Sequence, residues 1–365
     1  MSLAIPLDEE TTPPHVGSSA KRRLRIRDLL PPLLMLGVLA VMFRRLIAGR
    51  VLAGGDLHLY FYPYWVEVAR ELRTGHLPVW NPYLFAGAPL LANSQVGVFY
   101  PLNWPFWLLF PALPARMATT IHWSVVLHVA MAGLALYGVL RRMGLSPLSA
   151  ALGGLTYGGS GFVGAHVEHL NQLQALSWLP LLFLPGWAWT LRLRDRGSTL
   201  RLTLPHPASI AAMAMVLLAG HTQMAFIAAV GLFLWSLVLR IPFRRASSDG
   251  HPGVWWRLLF GWALAVAPFL LAAVVAAVQL VPTLELARYS GRSGGLDWRE
   301  AVSFSLAPWD VPRALLPPTL VSLQLPEGVG TVGLLGLVAA AGGACLVVIS
   351  YLRRHACDRV WVGWW

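Results

Sequence analysis

Long apolar runs divided by short arginine-rich clusters are the dominant pattern of this chain. A membrane-spanning helix needs about 20 consecutive apolar residues. Runs of roughly that length lie at 29–48, 117–140, 148–165, 173–191, 204–220, 222–240, 257–281 and 329–352. The pattern predicts an all-α polytopic membrane protein with about eight transmembrane helices. Basic clusters at 21–27, 141–142, 192–201, 240–245 and 353–359 then orient it. Lysine and arginine concentrate on the cytoplasmic side, and eight helices put all five clusters there.

The stretch 204–240 discriminates between topologies. As one helix it would place Arg201 and the 240–245 cluster on opposite faces. As a hairpin turning at Gly220-His221-Thr222, it keeps both ends inside, and this is the reading we adopt. Three segments are then external: a long first loop at about 51–116, a short turn at about 165–172, and a last loop at about 282–328. The run Trp104-Pro105-Phe106-Trp107-Leu108-Leu109-Phe110 is too short to span and suits an interfacial lie, where Trp is favoured. Residues 67–73 read as an amphipathic surface helix with Trp65, Val68, Ala69 and Leu72 on its apolar face.

Composition agrees. The chain is 56% hydrophobic and only 12% charged, where soluble domains run about 25% charged. The net charge of +12 comes from the loop arginines, with Lys21 the only lysine. It is therefore a topology signal and does not point to nucleic acid. Cys345 and Cys357 are too few for a disulfide framework. The first apolar run is followed by Arg44 and Arg45, with no small-residue cleavage site, so it reads as a retained helix. Residues 1–28 read as a cytoplasmic, basic, disordered tail and 29–359 as the transmembrane domain. The final residues, 360–365, read as the start of a further hydrophobic segment, the pattern expected of a fragment or of the N-terminal part of a longer protein.

Isolated charges single out the candidate chemistry. Asp56 stands alone after the first helix, in Gly54-Gly55-Asp56-Leu57-His58. Its glycines allow close backbone approach to a ligand, and the aromatics that follow can wall a site. Glu168 is the only charge between Arg142 and Arg192, and Glu285 the only one between Arg257 and Arg288. An ionisable group at membrane depth costs at least about 2.5–3.5 kcal/mol, so such groups are functional candidates by default. In the adopted topology Asp56, Glu168, Glu285 and the His221 turn share the outer face. Each also has a plain reading: Glu168 as a solvated turn carboxylate, Glu285 as a helix cap or partner of Arg288, and His221 with Gln223 as groups that satisfy the hairpin turn. His166, Glu168 and His169 do not have a standard zinc spacing.

The rigid, proline- and glycine-punctuated run Leu77-Pro78-Val79-Trp80-Asn81-Pro82-Tyr83 completes the first loop, together with Gly87-Ala88-Pro89 and Phe99-Tyr100-Pro101-Leu102-Asn103. Combined with Gly55-Asp56, His169-Leu170-Asn171, Trp178-Leu179-Pro180 and Gln279-Leu280-Val281-Pro282-Thr283-Leu284-Glu285, these motifs resemble the bacterial YfhO-like membrane proteins over roughly 50–335. That family is similar to the GT-C superfamily of integral membrane glycosyltransferases.

The resemblance implies a GT-C-like helical bundle with short interfacial helices. It also implies transfer of a sugar from a polyprenyl-phosphate donor to a cell-envelope acceptor, on the outer face of the plasma membrane. Asp56 fits the catalytic acid of the first external loop, although Leu57 stands where many relatives carry a second acid. The expected roles are Asp56 as general base, or as ligand of a divalent cation (Mg or Mn), and Glu168 as second acid or metal partner. Arg288 or Arg292 would neutralise the lipid phosphate. Trp80, Asn81 and Tyr83 would line the sugar site, and His58, His166, His169, Asn171, His221, Gln223 and Glu285 would complete the substrate-binding surface. A transporter or lipid flippase, and an inactive membrane scaffold, are the competing expectations.

Overall fold

The computed structural model describes residues 26–52, 55–110, 112–183, 207–238, 266–291, 293–302 and 308–310. The expected span at 329–352, the basic clusters at 192–201, 240–245 and 353–359, both cysteines, Arg292 and the terminal hydrophobic segment lie outside these residues.

Within them the protein is all-α apart from one two-stranded hairpin. Helices α1 (Ile26–Met42) and α2 (Arg44–Ile47) are followed by a π-helical turn (Leu57–Phe61) and α3 (Tyr62–Arg73). The hairpin pairs β1 (Trp80–Asn81) with β2 (Ala88–Pro89) in antiparallel register, Trp80 opposite Pro89. Next come α4 (Trp104–Leu109), α5 (Pro114–Arg142), α6 (Pro147–Gly158), α7 (Gly161–Ala165) and α8 (Leu170–Leu182). Helices α9 (Pro207–Leu218), α10 (Thr222–Val238), α11 (Val266–Val275), α12 (Ala277–Arg288) and α13 (Trp298–Val302) follow.

Helix α5 is the axis. Helices α1, α3, α6 and α8 pack against it, and α8 in turn carries α9 and α10. Small residues set the closest approach: a Cβ on Gly154 would sit 2.5 Å from the Gly133 carbonyl oxygen, and one on Gly158 would sit 3.0 Å from that of Val129. Small residues at these positions let the helix backbones touch. Met35 and Leu39 of α1 fill the space beside this crossing.

The segment expected as an external loop at 51–116 is largely folded. Tyr64, Trp65, Val68 and Ala69 bury the apolar face of α3. Arg73, in its last turn, donates to the carbonyls of Trp107, Leu108 and Phe110 at the end of α4. A cation is favoured there by the helix dipole and the unpaired carbonyls.

Several expected spans are corrected. The 29–48 run breaks at Phe43. The 148–165 run is two helices, because Gly159 ends α6 and the Ser160 hydroxyl caps α7 by accepting from Val163 N–H at 3.2 Å. The turn at 165–172 is shorter than expected, since α8 starts at Leu170. The 257–281 run, where described, bends by 85° between α11 and α12, and α12 continues to Arg288, past the expected loop boundary at 282. Among the described residues one helix, Arg116–Arg142, is long and apolar enough to cross a membrane alone; the bent α11–α12 pair passes if taken as one span. Helices α9 and α10 meet at a turn through Gly220, as the hairpin reading requires.

Candidate active site

Three segments far apart in sequence meet around Asp56: the π turn, the loop before α8, and the turn before α10. Gly55 adopts the left-handed φ of +52°, a conformation that favours glycine, and turns the chain into Asp56. The π turn that follows buries Leu57 and Phe61 and leaves Asp56 exposed at its start. Such turns are rare and concentrate at functional sites.

His169, at the N-cap position of α8, donates Nδ1–H to Asp56 Oδ2 at 3.1 Å. A carboxylate oxygen can only accept, so His169 carries a proton on Nδ1. Beside this pair, the Glu168 carboxylate lies directly against the Gly55 backbone, so closely that a Cβ on Gly55 would collide with Oε2. Two carboxylates are thereby brought to adjoining positions of one surface.

His166 is buried and stacks on Phe162 with ring centroids 4.1 Å apart. Its Nδ1 faces the Phe162 carbonyl at 2.8 Å and must donate to it, and its ring lies 5.8 Å from that of His169. His221 has the opposite tautomer: its Nδ1 accepts from Met224 N–H at 3.1 Å, capping α10, so the proton sits on Nε2. Burial, then the nearby His169 and, more weakly, His166 hold the His221 pKa below its ordinary 6.5 against a small opposing contribution from its own backbone. His221 is thus a neutral N–H donor at pH 7.

Tyr60 and Tyr62 frame the acid. The Tyr60 hydroxyl donates to Asn93 Oδ1 at 2.7 Å, and its ring lies 4.4 Å from that of Tyr64. Burial, with Tyr64 and Asp56 nearby, pushes its pKa up, and burial pushes Tyr62 to about 12, so both phenols stay protonated. His58 is exposed and meets the Tyr62 ring edge-on at 6.3 Å.

The other expected site residues are placed differently. Trp80 lies over Gly87. Asn81 is buried and accepts from Tyr83 N–H at 2.9 Å, an Asx turn that closes the hairpin. Tyr83 accepts from Arg70 Nη1 at 2.7 Å, and Arg70 also pairs with buried Glu67 at 2.8 Å. These contacts tie the hairpin to α3 rather than to Asp56. Asn171 is buried in the first turn of α8, its Oδ1 accepting from Gln172 N–H. Gln223 is exposed on α10. Glu285 and Arg288 are exposed on α12 and form no ion pair with each other.

For a divalent cation, Asp56 Oδ2 is already engaged by His169, and among the described residues no group of three or more His, Cys, Asp or Glu is arranged to hold a metal. The divalent cation expected on Asp56 and Glu168 is left as a proposal, and no step below runs through one.

Two further polar networks tie the bundle together. In the first, Trp178 Nε1–H donates to Tyr100 OH at 2.8 Å, Tyr100 OH donates to His128 Nε2 at 2.9 Å, and His128 Nδ1–H donates to the Ser124 carbonyl at 2.7 Å. Gln174 extends it by donating to Asn103 Oδ1 at 2.7 Å, which stitches the loop before α4 to α8. The second network anchors residues 91–94. Gln279 and Thr283 of α12 donate to the carbonyls of Leu91 and Ala92, Tyr60 donates to Asn93, and Gly220 packs against Ser94. The histidines of α5 were the available signal for the first network, since ionisable residues in an apolar run are rarely without a role.

No family model, characterised protein or solved structure matches this chain.

Proposed function

We propose that this chain is a multi-pass plasma-membrane glycosyltransferase of the GT-C type, moving a sugar from a polyprenyl-phosphate donor to a hydroxyl of a cell-envelope acceptor. The observation that carries the reading is the Asp56–His169 pair with Glu168 beside it, at the end of a helical bundle whose helices expose Leu33, Val41, Leu152, Phe226, Leu270 and Val274. Apolar exposure on so many helix faces suits a lipid surround, and an isolated carboxylate at its edge suits chemistry on a lipid-linked substrate.

In the reaction the acceptor oxygen attacks the anomeric carbon. The bond from that carbon to the phosphate oxygen breaks, and its electron pair leaves with the lipid phosphate. The acceptor proton goes to Asp56, whose Oδ2 is held by His169 and whose other oxygen faces the substrate. General-base help of this kind contributes about 10²–10⁴-fold. His221, neutral with its proton on Nε2, supplies a hydrogen-bond donor for phosphate oxygen, and Arg288 and Arg292 supply positive charge for it. The test is transfer of labelled sugar from polyprenyl-phosphate donors by the reconstituted chain and by Asp56→Asn.

One observation favours a second reading. The 85° break between α11 and α12 resembles the discontinuous helices of transporters. A flippase would move the lipid-linked sugar across a proteoliposome membrane and form no glycosidic product.

A further inference from the structure

We infer that His122, a buried histidine of α5, is a positioning residue that clamps both ends of the segment bearing Asp56. This rests on the reading of Asp56 as the reacting carboxylate. His122 is 1% exposed. Its Nε2 accepts from Leu52 N–H at 3.1 Å, four residues before Asp56, and stands 3.0 Å from the hydroxyl of Tyr62, six residues after it. The Tyr62 hydroxyl donates to the Leu52 carbonyl at 2.6 Å. One imidazole and one phenol thus hold the N–H and the C=O of Leu52 and tie Leu52 and Tyr62, on either side of Asp56, to α5.

The arrangement has a cost that packing alone does not explain. Because Nε2 accepts, the ring proton sits on Nδ1, and Nδ1 is buried with no partner. An apolar side chain of similar shape would avoid that orphan donor. It would also release Leu52, and the entry through Gly55 and the π turn would lose its upstream anchor. His122 holds Leu52 and Tyr62 on either side of Asp56, while His169 holds the carboxylate itself.

The test uses the full chain in lipid nanodiscs, with His122→Phe and the milder Tyr62→Phe, which removes one exchangeable hydroxyl. Amide exchange over residues 52–62 reads the clamp without any assay of activity. Both variants should speed it about tenfold, the effect of losing one hydrogen bond, with exchange in α5 and α8 unchanged. Sugar transfer reads the consequence. His122→Phe should slow it on the order of 10²-fold, as small misplacements of a catalytic group do. In an Asp56→Asn background the same change should cost less than about twofold, because the group it positions is already gone. Unchanged exchange in both variants overturns the clamp. Equal loss of transfer in both backgrounds overturns the positioning role and leaves a general structural one. A wild-type chain that transfers nothing defeats the glycosyltransferase reading instead, and the exchange measurement still decides the clamp.

Discussion

His169 donates its Nδ1–H to Asp56 Oδ2 at 3.1 Å across 113 residues of chain. The contact joins the turn before α3 to the N-terminus of α8, which packs directly on the central helix α5. Asp56 is therefore held by the bundle and is not a free loop carboxylate. The contact also requires a proton on His169 Nδ1, since a carboxylate oxygen can only accept.

Glu168 and Gly55 are packed so tightly that Gly55→Ala should disturb both acids. The new methyl collides with the Glu168 carboxylate, and φ of +52° costs a non-glycine residue about 1–2 kcal/mol. Transfer should fall more than about tenfold, in line with displacement of an aligned group. Adding Glu168→Ala should recover part of the thermal stability by removing the collision. If the double variant unfolds at the same temperature as Gly55→Ala, the proposed contact is wrong.

His221 ties stability to pH. Its pKa is depressed in the folded chain, so between that value and 6.5 the unfolded state binds more protons than the folded one. Stability contributed by the neutral ring is fully present above 6.5 and is lost as pH falls through the depressed value. His221→Asn keeps an N-cap acceptor for Met224 N–H but cannot titrate. Lowering the pH from about 7.5 to about 5.5 should therefore reduce the unfolding temperature less in His221→Asn than in wild type. Identical losses would rule out His221 as the titrating group.

Gly220 packs where no side chain fits. With φ of +79° and the Ser94 carbonyl against it, Gly220→Ala carries a backbone penalty of about 1–2 kcal/mol plus an unrelieved overlap with main chain. Unfolding in detergent should shift to clearly lower temperature. Gly138, which has open space around it, is the control and should accept alanine with little change.

Tyr100→Phe removes the oxygen that links Trp178 to His128 and leaves buried His128 Nε2 and half-buried Trp178 Nε1–H without that partner. The expected loss is about 1–3 kcal/mol, read as a fall in denaturation midpoint. An unchanged midpoint would mean that water replaces the hydroxyl.

The sequence pattern pointed to helices, to the turn at Gly220 and to Asp56, because each has a local cause: an apolar run, a left-handed glycine, an isolated charge. It did not reveal that Asp56 pairs with His169 or that Glu168 lies on Gly55, since those contacts depend on how α8 is seated against α5. The breaks at Phe43 and Gly159 were hidden because apolar composition continues through them. Trp80, Asn81 and Tyr83 looked like a sugar-binding set, yet Asn81 closes its own turn and Tyr83 is bound to Arg70. The roles of His122 and His128 lie in partners 70 and 28 residues away, beyond any local pattern.

The most direct measurement is transfer of radiolabelled sugar from polyprenyl-phosphate donors to envelope acceptors by the full chain in nanodiscs, wild type against Asp56→Asn, with folding of both checked by thermal unfolding. The account predicts transfer by wild type and a loss of at least about 10²-fold in the variant, with little change in unfolding temperature. Near wild-type transfer by a folded Asp56→Asn chain would contradict it.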